Sequence, residues 1–217
     1  RDVDAERNGH GHDAYPFEPA MALKSQIVFL KDVPEATPVG YNGRFITTRP
    51  TRLAMLPLVD TKLALKELDR AVLDLGLKGL CMLTNVAGKM VDSEFLLPVY
   101  ARAQELCVPI FIHPTTPLGA AVLQEWRLAI SLGFEFDIVL SATRLAYAGV
   151  LDKFPELNFV ISHLGAGIPF LAGRIDRGYF DPTCGIKTKK ATSEYLRDFY
   201  WDTVSFYQPA LAMAYQF

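Results

Sequence analysis

The stretch FVISHLGAGIPFLAGRID, Phe159–Asp176, decides how this chain is read. Phe159, Val160 and Ile161 form a short apolar, β-prone run, the mark of a buried strand. His163 stands where that strand should end. Leu164 to Gly167 reads as a glycine-rich turn, and Pro169 suits the first turn of a helix, where its missing N–H costs nothing. A histidine at the carboxyl end of a buried strand, followed at once by a helix, is how α/β barrels build active sites. The same arrangement occurs upstream: Val108 to Ile112 is another buried-strand run, and His113-Pro114 ends it.

Outward from these two units the pattern repeats. Leu53 to Leu58 is a short apolar strand. Asp60 can cap a helix in which Ala64, Leu68, Ala71, Val72 and Leu75 recur at helical spacing, with Gly76 as a natural stop. Gly79 to Leu83 is the next strand, and Asp92 or Ser93 can start a helix running to about Leu106. After His113 comes a longer segment. It carries a helix whose Ile138, Ala142, Leu145, Ala146, Gly149 and Val150 form one apolar stripe. Ser193 to Phe199 reads as a short helix, Phe199 to Val204 as a strand, and a last helix begins near Pro209. Alternation of strands and helices predicts an α/β fold with a parallel sheet. A doubly wound sheet and a (β/α)8 barrel both fit this alternation. The dinucleotide fingerprint is absent, and strand-end histidines on separate strands favour the barrel, where chemistry converges on one face. Residues 1 to 22 are polar and weakly periodic, Gln26 to Leu30 is a further strand candidate, and Pro34 to Pro50 reads as loop.

Composition narrows the class. Half of the 217 residues are hydrophobic and 12% are aromatic, which describes a globular chain with a real core. A net charge of −2 gives no basic surface for nucleic acid. No apolar run approaches the ~20 residues of a membrane span, and no leader is visible. Three scattered cysteines suit a reducing, cytoplasmic setting better than a disulfide framework. Cys81 and Cys107 lie in or beside apolar runs and are expected to be buried.

Four histidines are candidates for chemistry. Neutral imidazole ligates zinc and similar ions. In a barrel His113 and His163 would stand side by side, as ligands or simply as histidines satisfied locally. His10 and His12 form an HxH pair that could turn both rings to one metal if it lies on a strand. Otherwise it is an exposed pair near a terminus. Asp202 ends the last apolar strand and either faces the same pocket or caps a helix. Arg174 suits a carboxylate, or a surface pair with Asp176. Trp126-Arg127 would sit on a lid or pocket wall, or merely pack. Asn85, with Gly88, would line the pocket or turn the chain.

Taken together, Leu56-Pro57-Leu58, Thr84-Asn85 with Gly88, Phe111-Ile112-His113-Pro114, Ile161 to Gly167, Leu171 to Asp176 and Tyr200-Trp201-Asp202-Thr203 resemble the amidohydrolase-related decarboxylases. The likeness is greatest to the aminocarboxymuconate-semialdehyde decarboxylase family. It runs from about Pro50 to Phe217. The resemblance implies a (β/α)8 barrel over residues 1–217 as one domain, irregular or gapped before residue 50. It implies one divalent metal, zinc or else manganese, held by an HxH pair, by the histidine of the HP motif and by an aspartate ending strand eight. On this sequence that makes His113, His10 and His12 ligands and His163 the acid–base residue. The strand-eight aspartate would fall beyond Phe217, so the barrel is expected to be incomplete at both ends, and Asp202 belongs to the strand-seven motif. The resemblance also implies that Arg174 reaches a substrate carboxylate across a homodimer. The implied activity is nonoxidative decarboxylation of a small aromatic or muconate-like carboxylic acid. The alternatives are a hydrolase or hydratase using metal-bound water, and a non-catalytic barrel.

Overall fold

The structure, a computed structural model, describes Leu58 and residues 60–217, together with four short strands before them. These four are β1 (Lys31–Val33), β2 (Pro38–Val39), β3 (Phe45–Ile46) and β4 (Thr51–Leu53). β1 pairs antiparallel with β4, and β2 with β3. The pairing of β2 with β3, two residues long, therefore falls inside the segment read as loop from Pro34 to Pro50. His10, His12, the strand candidate Gln26 to Leu30 and most of the one from Leu53 to Leu58 lie outside the described residues.

The remaining elements follow the alternation in the sequence. Helix α1 (Thr61–Asp69) is capped by Asp60, whose carboxylate accepts the Leu63 N–H at 3.0 Å. It widens into a π-type turn at Arg70–Asp74, and Gly76 at φ +69° ends it. Next come β5 (Leu80–Leu83), a small hairpin of β6 (Asn85–Val86) and β7 (Lys89–Met90), helix α2 (Leu97–Glu105) and β8 (Ile110–His113). Helix α3 (Phe134–Tyr147) carries Ile138, Ala142, Leu145 and Ala146, all buried. The stripe read through Val150 crosses a break, because Gly149 at φ +69° ends α3 and starts the short α4 (Val150–Lys153). Strand β9 (Phe159–Ile161), helix α5 (Ile168–Phe180) with Pro169 in its first turn, α6 (Thr192–Arg197), β10 (Tyr200–Trp201) and α7 (Gln208–Gln216) complete the described chain. Among the described residues no helix is long and apolar enough to cross a membrane.

Four strands form one parallel sheet in the order β5-β8-β9-β10. Their spatial order is their chain order, which separates the two architectures left open by the alternation. A doubly wound sheet reverses its order at a switch point. Here each crossover adds its strand on the same side, and right-handed crossovers then put every helix on one face. The sheet is the arc of a (β/α)8-type barrel, with helices outside and strand carboxyl ends on one rim.

The register gives each face its content. Leu80, Ile110 and Phe159 lie in one row and Met82, Ile112 and Ile161 in another, all nearly inaccessible and packed under the helices. Tyr100 of α2 meets Phe159 edge to face at 5.6 Å, and Ile138, Ile168 and Leu196 fill the same layer. The intervening row, Cys81, Phe111, Val160 and Tyr200, points to the inner face. Cys81 is therefore exposed instead of buried, because alternation along β5 turns it away from the helices. Cys107 is exposed as well: it leaves α2 in the left-handed conformation at φ +53°.

Candidate active site

His113 ends β8 and His163 follows β9, the next strand of the arc. Their ring centroids are 5.8 Å apart at an interplanar angle of 82°. The sequence expectation that they stand side by side is met. They are held by different partners. His113 Nδ1 lies 2.8 Å from the Pro114 carbonyl oxygen, which can only accept, so Nδ1 carries the proton and the lone pair is on Nε2. Burial holds its pKa below the ordinary imidazole value. The Pro114 carbonyl opposes that shift, His163 adds to it, and Asp202 opposes it. His163 Nδ1 lies 2.9 Å from Glu135 Oε1. That hydrogen bond raises its pKa against the cost of burial, and the charges of Glu135 and Asp202 add to the rise. One histidine is kept neutral and the other is kept ready to hold a proton.

The turn that presents His163 is strained. His163, Leu164 and Ala166 all have positive φ, at 52°, 57° and 52°, with Gly165 at 69° between them. Left-handed backbone costs a non-glycine residue about 1–3 kcal/mol and persists where the surroundings impose it. Here Asp202 imposes it: its Oδ1 accepts the Leu164 N–H and the Val204 N–H, each at 3.0 Å. The Trp201 ring packs on Gly165 so closely that an added Cβ would sit 3.0 Å from it. Gly165→Ala is expected to cost about 1–3 kcal/mol in urea denaturation from overpacking on a disallowed backbone. An unchanged midpoint would show that the turn is not locked.

Around the histidines lies a cavity of about 610 Å³, walled by Arg127, Phe134, Glu135, Leu164, Val204 and Phe206 among others. Three of the residues singled out in the sequence lie outside the described walls of this cavity. Trp126 is 82% exposed and is not a wall of this cavity; its neighbour Arg127 is. The reason is local: both residues take left-handed backbone, φ 51° and 58°, which turns one side chain out and the next in. Asn85 is buried but spent on structure. Its Oδ1 accepts the Gly88 N–H, closing the β6–β7 turn, and its Nδ2 donates to the Thr116 carbonyl, both at 3.2 Å. Arg174 lies exposed on α5, outside the walls of this cavity. It forms no ion pair with Asp176, whose carboxylate accepts the Ser193 N–H at 2.7 Å.

Glu135 was not singled out in the sequence, although a signal existed. It stands three residues before Ile138 and so extends the Ile138–Ala142–Leu145 stripe by one turn. An acid at that end of an inward stripe lies on the side of α3 that meets the sheet's rim.

Among the described residues no three histidine, cysteine or acidic side chains gather as a metal-binding set. His113 nonetheless has the chemistry of a ligand: neutral, with Nδ1–H on a carbonyl. His163, bound to a carboxylate and favouring the protonated form, does not. The described residues thus supply one donor that fits the divalent ion implied by the sequence resemblance.

A parallel barrel arc that brings two histidines side by side at its strand carboxyl ends defines the class: an α/β barrel of the kind that gathers its site on that rim. Within that class, the chain belongs to the amidohydrolase family, whose sequence pattern (Amidohydro_2) matches residues 9–216. It is 29% identical over 174 residues to 2-amino-3-carboxymuconate-6-semialdehyde decarboxylase of Dictyostelium discoideum, covering 78% of this chain and 48% of that protein. Its structure is similar to 5-carboxyvanillate decarboxylase from Sphingomonas paucimobilis. There the TM-score is 0.68 and the identity 26%, covering 73% of this chain and 50% of that one. It is also similar to dihydroxybenzoic acid decarboxylase from Polaromonas sp. JS666, solved with manganese and the inhibitor 2-nitroresorcinol. The TM-score is 0.66 and the identity 29%, over 76% and 54% of the two chains. The chain spans about half the length of these relatives.

Proposed function

We propose that this protein is a metal-dependent nonoxidative decarboxylase of a small aromatic or muconate-like carboxylic acid. The observation that carries this reading is the division of labour between the two adjacent histidines. His163, hydrogen-bonded to Glu135 with its pKa raised, holds the proton that decarboxylation must deliver to carbon, while His113 beside it is kept neutral. The relatives named above, decarboxylases of related acids, support the same reaction.

In this mechanism His163 delivers its proton to the carbon that bears the leaving carboxylate. The electron pair of the broken C–C bond becomes the new C–H bond, and carbon dioxide departs. Glu135 holds Nδ1–H throughout, so the ring keeps one orientation while Nε2 gives up its proton. Phe134, Leu164 and Phe206 give a planar substrate an apolar surface and keep water from the carbanionic carbon. A divalent ion held by His113 with His10 and His12, zinc or manganese, would supply positive charge to a substrate oxygen.

Residues 1–217 would form a single barrel domain, and the unpaired cysteines suit a cytoplasmic setting. Arg174 and Phe170, one turn apart on α5 and both exposed, offer a contact for a second copy. A homodimer in which Arg174 reaches the partner's substrate is consistent with that placement.

Product analysis tests the reaction. With a dihydroxybenzoic acid as substrate in deuterated water, the ring product should carry one deuterium where the carboxylate was, with carbon dioxide released in equal amount. Oxygen from labelled water in the organic product would replace decarboxylation by hydrolysis or hydration.

A further inference from the structure

The segment between β8 and α3 holds a charge that the mechanism above does not use. Arg127 is the one lysine or arginine among the described residues that wall the cavity. The one carboxylate among those described residues, Glu135, is engaged by His163. The Arg127 guanidinium forms no ion pair among the described residues. An anion entering the cavity therefore meets a cation that no described carboxylate has paired.

The placement of Arg127 is built. The Arg127 carbonyl accepts the N–H groups of Ile130 and Ser131, each at 3.0 Å, and the Ser131 hydroxyl at 3.2 Å, so the turn is closed on itself. Farther back, Asn85 Nδ2 donates to the Thr116 carbonyl at 3.2 Å. Pro117 and Leu123 lie against Gly133, where a Cβ would come within 2.6 and 2.8 Å of their side chains. The loop is thus pinned at its start, its middle and its junction with α3. Two successive left-handed residues inside a loop so held are the kind of strain that clusters at ligand-binding sites.

We propose that Arg127 is a specificity-determining residue that binds the substrate carboxylate from within the same chain. The ligand class is a small planar acid, and the inference rests on the decarboxylase reading for its choice of substrate. A guanidinium fork matches a carboxylate with two parallel hydrogen bonds. Recognition of the acid then does not wait for Arg174 of a second copy.

The test is calorimetric binding of 2,6-dihydroxybenzoate and of resorcinol, the same ring without the carboxylate. It uses the intact metal-loaded protein, R127M, R127K and R174M. R127M should weaken the acid by about tenfold or more, leave resorcinol and the thermal midpoint unchanged, and be partly rescued by R127K. Equal weakening of both ligands, no weakening of either, or a wild-type protein that binds the acid no better than resorcinol overturns the inference. The readout is binding, so selective binding without carbon dioxide release would remove the decarboxylase reading and leave Arg127 in its role.

Discussion

Replacing His163 with alanine is expected to lower kcat/KM by about 10²–10⁴-fold, the range for loss of a positioned acid–base group. Metal content and fold should be retained. The fold control matters because His163 sits at φ +52° on a turn held by Asp202 and Trp201. His163→Asn separates the two effects, since asparagine tolerates left-handed backbone better than most residues but cannot deliver a proton. Both variants should therefore lose activity alike. Restored activity in His163→Asn would mean that the backbone, and not the imidazole, had been the contribution.

The pH profile carries the same argument with a sign. The Glu135 hydrogen bond, opposed by burial and aided by the charges of Glu135 and Asp202, raises the His163 pKa. As the acid, His163 works protonated, so activity should hold past the ordinary imidazole value of about 6.5 and fall as pH rises through the raised value. Stability follows the same direction: the pair's contribution is complete below the unfolded imidazole pKa and is lost as pH rises through the folded one. Glu135→Gln keeps an acceptor for Nδ1–H and removes the charge. Its falling limb should move to lower pH, and an unmoved limb would show that Glu135 does not set the proton on His163.

The fold was legible where local chemistry dictates it. The Asp60 cap, the Gly76 stop, the Pro169 start and the two apolar runs ending in histidine are properties of a few adjacent residues. Their order in space is not. Alternation alone left the doubly wound sheet open, and only the pairing of β5 with β8, β8 with β9 and β9 with β10 decides for the barrel arc. The same limit governed the site. His113 and His163 were found because each closes its own strand. The Glu135 contact was not, because it joins residues 28 positions apart. Trp126 and Arg127 were read as a unit, yet two left-handed residues send them in opposite directions. Cys81 was assigned to the core by its apolar neighbours, and strand alternation placed it on the other face.

The second large effect concerns the ion. His113→Ala is expected to lower affinity for zinc or manganese by at least about 100-fold, since loss of even an outer partner of a metal ligand costs about 10–100-fold. Equilibrium dialysis against a chelator-buffered metal solution measures this without reference to turnover. The contrast with His163→Ala decides between two roles that look identical in sequence, a histidine at the end of a buried strand. The difference lies in what each Nδ1 touches. A backbone carbonyl fixes His113 as the tautomer with its lone pair on Nε2, and burial disfavours its cation. A carboxylate draws His163 toward the cation, which binds no metal. Loss of metal in His113→Ala with retention in His163→Ala follows from that difference. Equal loss in both would make the pair a shared ligand set and would take the proton away from His163.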